Sequence, residues 1–207
     1  MDCWTQQKPV TCSADRTVRV WKVSDESHLV FRGHKCCVDN VQYLTADYYA
    51  SSGQDGSLRM WTSTQKKPVA SVEGAHGFDA PATPRWVASM ASLKISDLLV
   101  TGSHDGYVRF WKADTEERSL EAVAQWRTNE CFINAIAVSS RLVVLGTGSE
   151  HRLGRWWRLK GAKNRVEIFK LPDSVAEAAA SRPLSYEDVS SSESESSDSS
   201  GGDSEDN

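Results

Sequence analysis

The sequence predicts an all-β protein built from one strand–turn–strand unit used several times, and three observations carry that prediction. Four segments align without a gap: ADRTVRVWK (14–22), QDGSLRMWT (54–62), HDGYVRFWK (104–112) and EHRLGRWWR (150–158). In the first three an aspartate (Asp15, Asp55, Asp105) precedes a tryptophan (Trp21, Trp61, Trp111) by six residues. The tryptophans recur at intervals of 40, 50 and 46 residues, a period that points to a repeat architecture.

Each unit reads as strands in turn. The first, from about residue 8 to 32, has about twelve residues before its turn, little room for two full strands, and is expected to be partial. The second (33–75) and third (76–126) bring an apolar run, YYASSG (48–53) or LLVTGS (98–103), to an Asp-Gly turn that supplies the positive φ of a tight hairpin. Gly33-His34 and Ala75-His76 stand near their starts. The fourth (127–172) runs LVVLGTG (142–148) into EHRLGRWWR. It keeps the spacing to Trp157 but puts His151 where the aspartate should be. Trp156 and Trp157 are expected in the blade core, and the arginine two residues before each tryptophan (Arg19, Arg59, Arg109, Arg155) is read as structural. GFDAPATPR (77–85) reads as a loop whose length accounts for the longest interval.

Spacing, turn chemistry and strand pattern together resemble the WD40 β-propeller family, whose four-stranded blades carry a Gly-His near the start and a Trp-Asp-like pair at the end. The resemblance implies a buried network of His34, Asp55 and Trp61 in the second blade, and of His76, Asp105 and Trp111 in the third. Asp15 and Trp21 take matching places in the first, His151 and Trp157 in the fourth. The family's closing aspartate is replaced throughout (Lys22, Thr62, Lys112, Arg158). About three and a half blades of about seven are expected, so the ring should not close. Either the chain is the C-terminal part of a longer propeller or two copies complete a ring, and as a folded unit alone it should be marginal.

Charge divides the chain. Of 28 acids and 24 bases overall, residues 181–207 hold eight acids and one base, leaving 20 and 23 in a mildly basic body over 1–180. The tail SYEDVSSSESESSDSSGGDSEDN (185–207), like the rest of 173–207 apart from a short helix capped near Asp173, is predicted disordered. Ser185, Ser190, Ser192 and Ser200 have an acid three positions on and resemble acidophilic-kinase sites. Five irregularly spaced cysteines show no CxxC pair, which predicts reduced thiols and no metal site. No apolar run reaches the roughly 18 residues of a membrane span. No paired acid and base, phosphate loop or nucleophile motif argues for an enzyme, and no cofactor is expected.

The last unit is the most specific. GSEHRLGRWWRLKGAKNRV (148–166) resembles the terminal blade of the WD40 protein of the U3 small nucleolar ribonucleoprotein. TVRVWKVSDESHLVFRGH (17–34), EGAHG (73–77) and LVTGSHDGYVRFW (99–111) support the match. The resemblance implies a nucleolar protein that binds U3 RNA with a kink-turn-binding partner and acts in pre-ribosomal RNA cleavage and small-subunit assembly. The competing reading is a WD40 protein-interaction scaffold without RNA contact. Lys and Arg supply RNA affinity by neutralising phosphate. Arg152, with Arg16, Arg32 and Lys35, is expected on the face of the turns. Lys160, Lys163 and Arg165 follow the last strand and are expected on the opposite face, about 20 Å away.

Overall fold

A computed structural model describes residues 1–94, 96–128, 131–173, 175 and 177, apart from the Arg155 side chain. The chain folds into antiparallel sheets placed side by side. The first sheet is β1 (Asp2–Cys3), β2 (Pro9–Cys12), β3 (Thr17–Lys22) and β4 (Ser27–Arg32), in sequence order. The second is β5 (Val38–Tyr43), β6 (Tyr48–Gly53), β7 (Leu58–Thr62) and β8 (Ala70–Val72). A short hairpin, β9 (Phe78–Ala80) and β10 (Thr83–Pro84), stands where a loop was expected. The third sheet is β11 (Ser89–Ser92), β12 (Leu98–Gly102), β13 (Tyr107–Asp114) and β14 (Ser119–Arg127). In the fourth unit β15 (Phe132–Val138), β16 (Leu142–Gly148) and β19 (Arg165–Lys170) make a three-stranded sheet, and β17 (Glu150–His151) and β18 (Gly154–Arg158) make a separate hairpin.

Inner strands of the second and third sheets bury both faces because each of these sheets lies between two others, which is why β7 is apolar on adjacent positions. Trp61 packs toward the first sheet with Phe31, Val38 and Tyr49, while Leu58 and Met60 pack toward the third with Leu99 and Trp111. Phe110 and Val100 repeat the second role against Ile133 and Leu145 of the fourth. Close approach of neighbouring chain leaves no room for a side chain on two of the glycines. A Cβ on Gly53 would meet the Cys37 carbonyl oxygen at 2.1 Å, and one on Gly102 the Ile133 side chain at 2.5 Å. The Asp-Gly turns behave as expected, with φ of +65° at Gly56 and +75° at Gly106.

Two expectations are corrected. The first unit is not half a blade: β1 is only two residues long but pairs with β2 through Asp2↔Val10 and Cys3↔Pro9, completing four strands. The strand ending in Trp157 is not the third strand of the fourth sheet. That place belongs to β19, which pairs along the whole of β16 from Leu142↔Lys170 to Thr147↔Arg165. The physical reason lies at the turn. In the second and third units an aspartate ties the turn to a histidine in the linker before it. The fourth unit has His151 instead of the aspartate, and its linker RTNE (127–130) holds no histidine. Without that aspartate–histidine tie, residues 150–158 pair with themselves. Of the segment read as a short helix, Asp173, Val175 and Glu177 are helical and Val175 is buried in the core between the third and fourth sheets. The predicted disordered tail lies outside the described residues.

Candidate functional site

The second and third turns are built by relays of hydrogen bonds. Trp61 Nε1 donates to Ser51 Oγ (2.7 Å), Ser51 Oγ lies 2.7 Å from His34 Nε2, and His34 Nδ1 reaches Asp55 Oδ2 at 3.0 Å. Asp55 also accepts from the backbone N–H groups of Lys35 (2.8 Å) and Ser57 (3.0 Å). The third unit repeats this with Trp111 to Thr101 (2.8 Å), Thr101 to His76 (2.9 Å) and His76 to Asp105 (3.1 Å). A neutral imidazole with its proton on Nδ1 satisfies every partner. Burial pushes both carboxyls up, but their hydrogen bonds outweigh it and hold Asp55 and Asp105 below the usual carboxylate range. Burial pushes His76 down, keeping it neutral. The first unit has the aspartate but no histidine partner among the described residues. Asp15 accepts from Thr17 Oγ1 (2.6 Å) and pairs with Arg19, and Trp21 donates to Thr11 (2.9 Å). These relays fasten turns and expose no reactive group.

The chemistry that remains free lies on the face of the turns. The β17–β18 hairpin folds over the inner strands, and Trp157 packs half-buried against His104 (4.4 Å), Phe132 (5.1 Å) and Trp86 (5.9 Å). His151 is buried against Phe132 and Trp86, both at 5.5 Å, and burial lowers its pKa. Its Nδ1 accepts from Leu153 N–H (3.1 Å), so neither residue forms the relay its alignment implied. Trp156 is not core. It is 67% exposed, its ring lying over Gly154 so closely that a Cβ there would meet it at 1.7 Å. Sequence alignment missed this because it placed Trp156 level with Met60 and Phe110, both fully buried.

Arg152 serves as a tether. Its guanidinium donates to the Asp39 carbonyl (2.9 Å) and to Asn40 Oδ1 (3.2 Å) of β5, while its backbone N–H donates to Asn134 Oδ1 (2.9 Å). The fourth unit is thereby tied across the inner strands to the second sheet. Arg16, in a left-handed turn conformation (φ 68°), and Arg32, whose β4 position pairs with Thr17, are exposed neighbours on the same face. Lys35 is exposed and pairs with Glu73 (3.5 Å).

The second basic group is not on the opposite face. Arg165 pairs with Thr147 at the turn end of β16, and Lys170 pairs with Leu142 at the other end, because β19 runs antiparallel to β16. Lys160, Lys163 and Arg165 therefore share the turn face with Arg152. With Arg127, which pairs with Tyr107 just after the third turn, they line a cleft of about 790 Å³ between β14 and β19. Thr128, Thr147 and Glu167 also line it. None of the four cations is held in an ion pair among the described residues. Arg127 carried no local signal; only the packing of the third sheet beside the fourth brings it in. The serines at 185, 190, 192 and 200 lie outside the described residues, and among the described residues no group of His, Cys, Asp and Glu is arranged to hold a metal.

The family model "WD domain, G-beta repeat" matches residues 26–62 and 76–112. A solved structure described as "Structure of U3-55K" superimposes with a TM-score of 0.77 at 39% identity, covering 81% of this chain and 53% of that one. The chain belongs to the WD40-repeat family. Mouse U3 small nucleolar RNA-interacting protein 2 is 39% identical over 152 residues, 71% of this chain and 32% of the relative. A rice U3 snoRNP-associated protein-like protein, YAOH, is 30% identical over 201 residues, covering 83% of this chain and 38% of the relative. This WD40 chain is thus homologous to U3 snoRNP-associated proteins, and it spans about a third of the length of the curated relatives it matches.

Proposed function

We propose that this chain is a non-catalytic, RNA-binding part of a U3 small nucleolar ribonucleoprotein acting in pre-ribosomal RNA processing and small-subunit assembly. The observation that carries the reading is the turn face of the fourth unit. Arg127, Lys160, Lys163 and Arg165, which have no ion-pair partner among the described residues, line one cleft there, and an exposed Trp156 lies on the hairpin of the same face. Cations neutralise phosphates, and an exposed ring adds a surface on which an unpaired base stacks. Its partners in this reading are U3 small nucleolar RNA, the kink-turn-binding protein on that RNA, and other proteins of the small-subunit processome. Its place is the nucleolus, with no membrane, cofactor or small-molecule substrate.

The test is recovery of U3 RNA with the 207-residue chain from cells, beside the double variant Lys160→Glu, Lys163→Glu. The wild type is expected to enrich U3 RNA in a salt-sensitive manner, and the soluble variant to lose it. In vitro, removing two phosphate contacts flattens the slope of log K against log salt by about 1.4. Arg152→Glu is a poorer probe because it also cuts the tether to Asp39 and Asn40. A soluble chain that recovers processome proteins but no U3 RNA at any salt concentration replaces this reading with the protein scaffold.

A further inference from the structure

We propose that the acidic segment 181–207 of this same chain occupies the cleft between β14 and β19 in cis and competes there with RNA. The inference rests on reading that cleft as a polyanion site. Two features support it. The first is charge: Arg127, Lys160, Lys163 and Arg165 face the cleft without ion-pair partners among the described residues, and among the described lining residues the one acid is Glu167. Residues 181–207 carry eight acids and one base, with no apolar residue after Val189. A run of carboxylates meets a cationic cleft as a phosphate backbone does, by displacing counterions, and needs no fixed register.

The second feature is where the segment departs. The chain leaves β19 at Lys170, and Leu171 and Val175 return into the core that also holds Cys131. Cys131 lines the cleft. A six-residue strand such as β19 spans about 20 Å, so the chain leaves the described structure within roughly that distance of the cleft. The first pair of acids, Glu187 and Asp188, follows ten residues after Glu177. Ten residues reach about 33–36 Å when extended, so every acid of the segment can arrive without strain. Tethering at this length sets an effective concentration on the order of 1 mM. A segment that binds the cleft with Kd about 0.1 mM then weakens RNA binding about tenfold. Phosphorylation of Ser185, Ser190, Ser192 or Ser200 adds about 1.5–2 negative charges each and deepens the competition.

The test uses the full chain and a full-length variant in which the eight acids of the segment become amides. Zero-length carbodiimide coupling without RNA, mapped by mass spectrometry, is expected to join segment carboxylates to Lys160 and Lys163, independently of protein concentration and only at low salt. Arg127→Gln with Arg165→Gln leaves both reactive lysines in place and should cut those couplings several-fold. RNA titration at low salt should show the amide variant binding about tenfold tighter, with the gap closing at high salt. Couplings spread evenly over Lys8, Lys22, Lys66 and Lys67, or formed only between differently labelled copies, overturn the proposal. So does RNA binding that is indifferent to the amide substitutions. Couplings at the cleft with no RNA binding by either protein leave the cis contact standing and instead remove the proposed function.

Discussion

The second and fourth turns carry tryptophans at the same spacing and use them in opposite ways. Trp61 is fully buried and ends a relay through Ser51 and His34 to Asp55. Trp157 stands at the matching position, makes no such relay, and is a half-buried clamp on Trp86, His104 and Phe132. The difference teaches that the tryptophan does not define the strand. What the second turn has and the fourth lacks is an aspartate that holds the turn to the preceding linker. Where His151 replaces it, the segment leaves its sheet, and β19 fills the gap beside β16. The departure makes the basic hairpin, and β19 in its new place forms one wall of the cleft.

The largest expected effect breaks the comparison at the tryptophans. Trp61→Ala should cost about 3–5 kcal/mol in urea denaturation, a full core cavity, against about 1–2 for Trp157→Ala. Equal losses would erase the distinction. Next comes the turn residue itself. Asp55→Ala strips the acceptor from His34, Lys35 N–H and Ser57 N–H and should cost about 2–3 kcal/mol. His151→Asp should not restore a blade; it puts a carboxylate among Trp86 and Phe132 with no histidine in the linker 127–130 to take it, and should destabilise by about 1–3 kcal/mol. A gain in stability there would mean that spacing alone makes the strand.

A smaller effect follows from acidity. Burial depresses the pKa of both His76 and His151, so the folded chain keeps them neutral while the unfolded chain takes up protons near pH 6.5. Their contribution is complete above that pH and declines as pH falls below it. Asp55 and Asp105 are depressed as well, so their contribution is complete above about pH 4 and is lost only as pH falls through their lower folded values. Melting temperature should therefore fall between pH 7 and 5, before the carboxylates respond, and His76→Gln should flatten that first descent. The smallest effect on stability belongs to Trp156→Ala, within about 0.5 kcal/mol because the ring is exposed. The same variant should lose about 1–3 kcal/mol of single-stranded RNA affinity, read by titration, if bases stack there.

Much of this was legible in the residues. The period, the Asp-Gly turns with their positive φ, and the His34–Asp55–Trp61 and His76–Asp105–Trp111 sets are local or nearly local signals, and each is in place. The first blade was underestimated because a two-residue strand leaves no pattern to read. The site was legible only in part. Lys160, Lys163 and Arg165 stand out as a basic run, but their face depended on which strand lies beside β16. A six-residue strand carries alternation, not the identity of its neighbour.

The sequence by itself thus determined the repeated unit, the turns that hold it and the division into a basic body and an acidic tail, because those depend on residues close along the chain or at a fixed period. Only the tertiary structure decided that Trp156 faces solvent, that Arg152 is spent on Asp39 and Asn40, and that Arg127 joins the lysines of the last unit. Each of those outcomes is a choice between competing partners distant in the chain. Packing geometry ranks such partners, and no local pattern records the result.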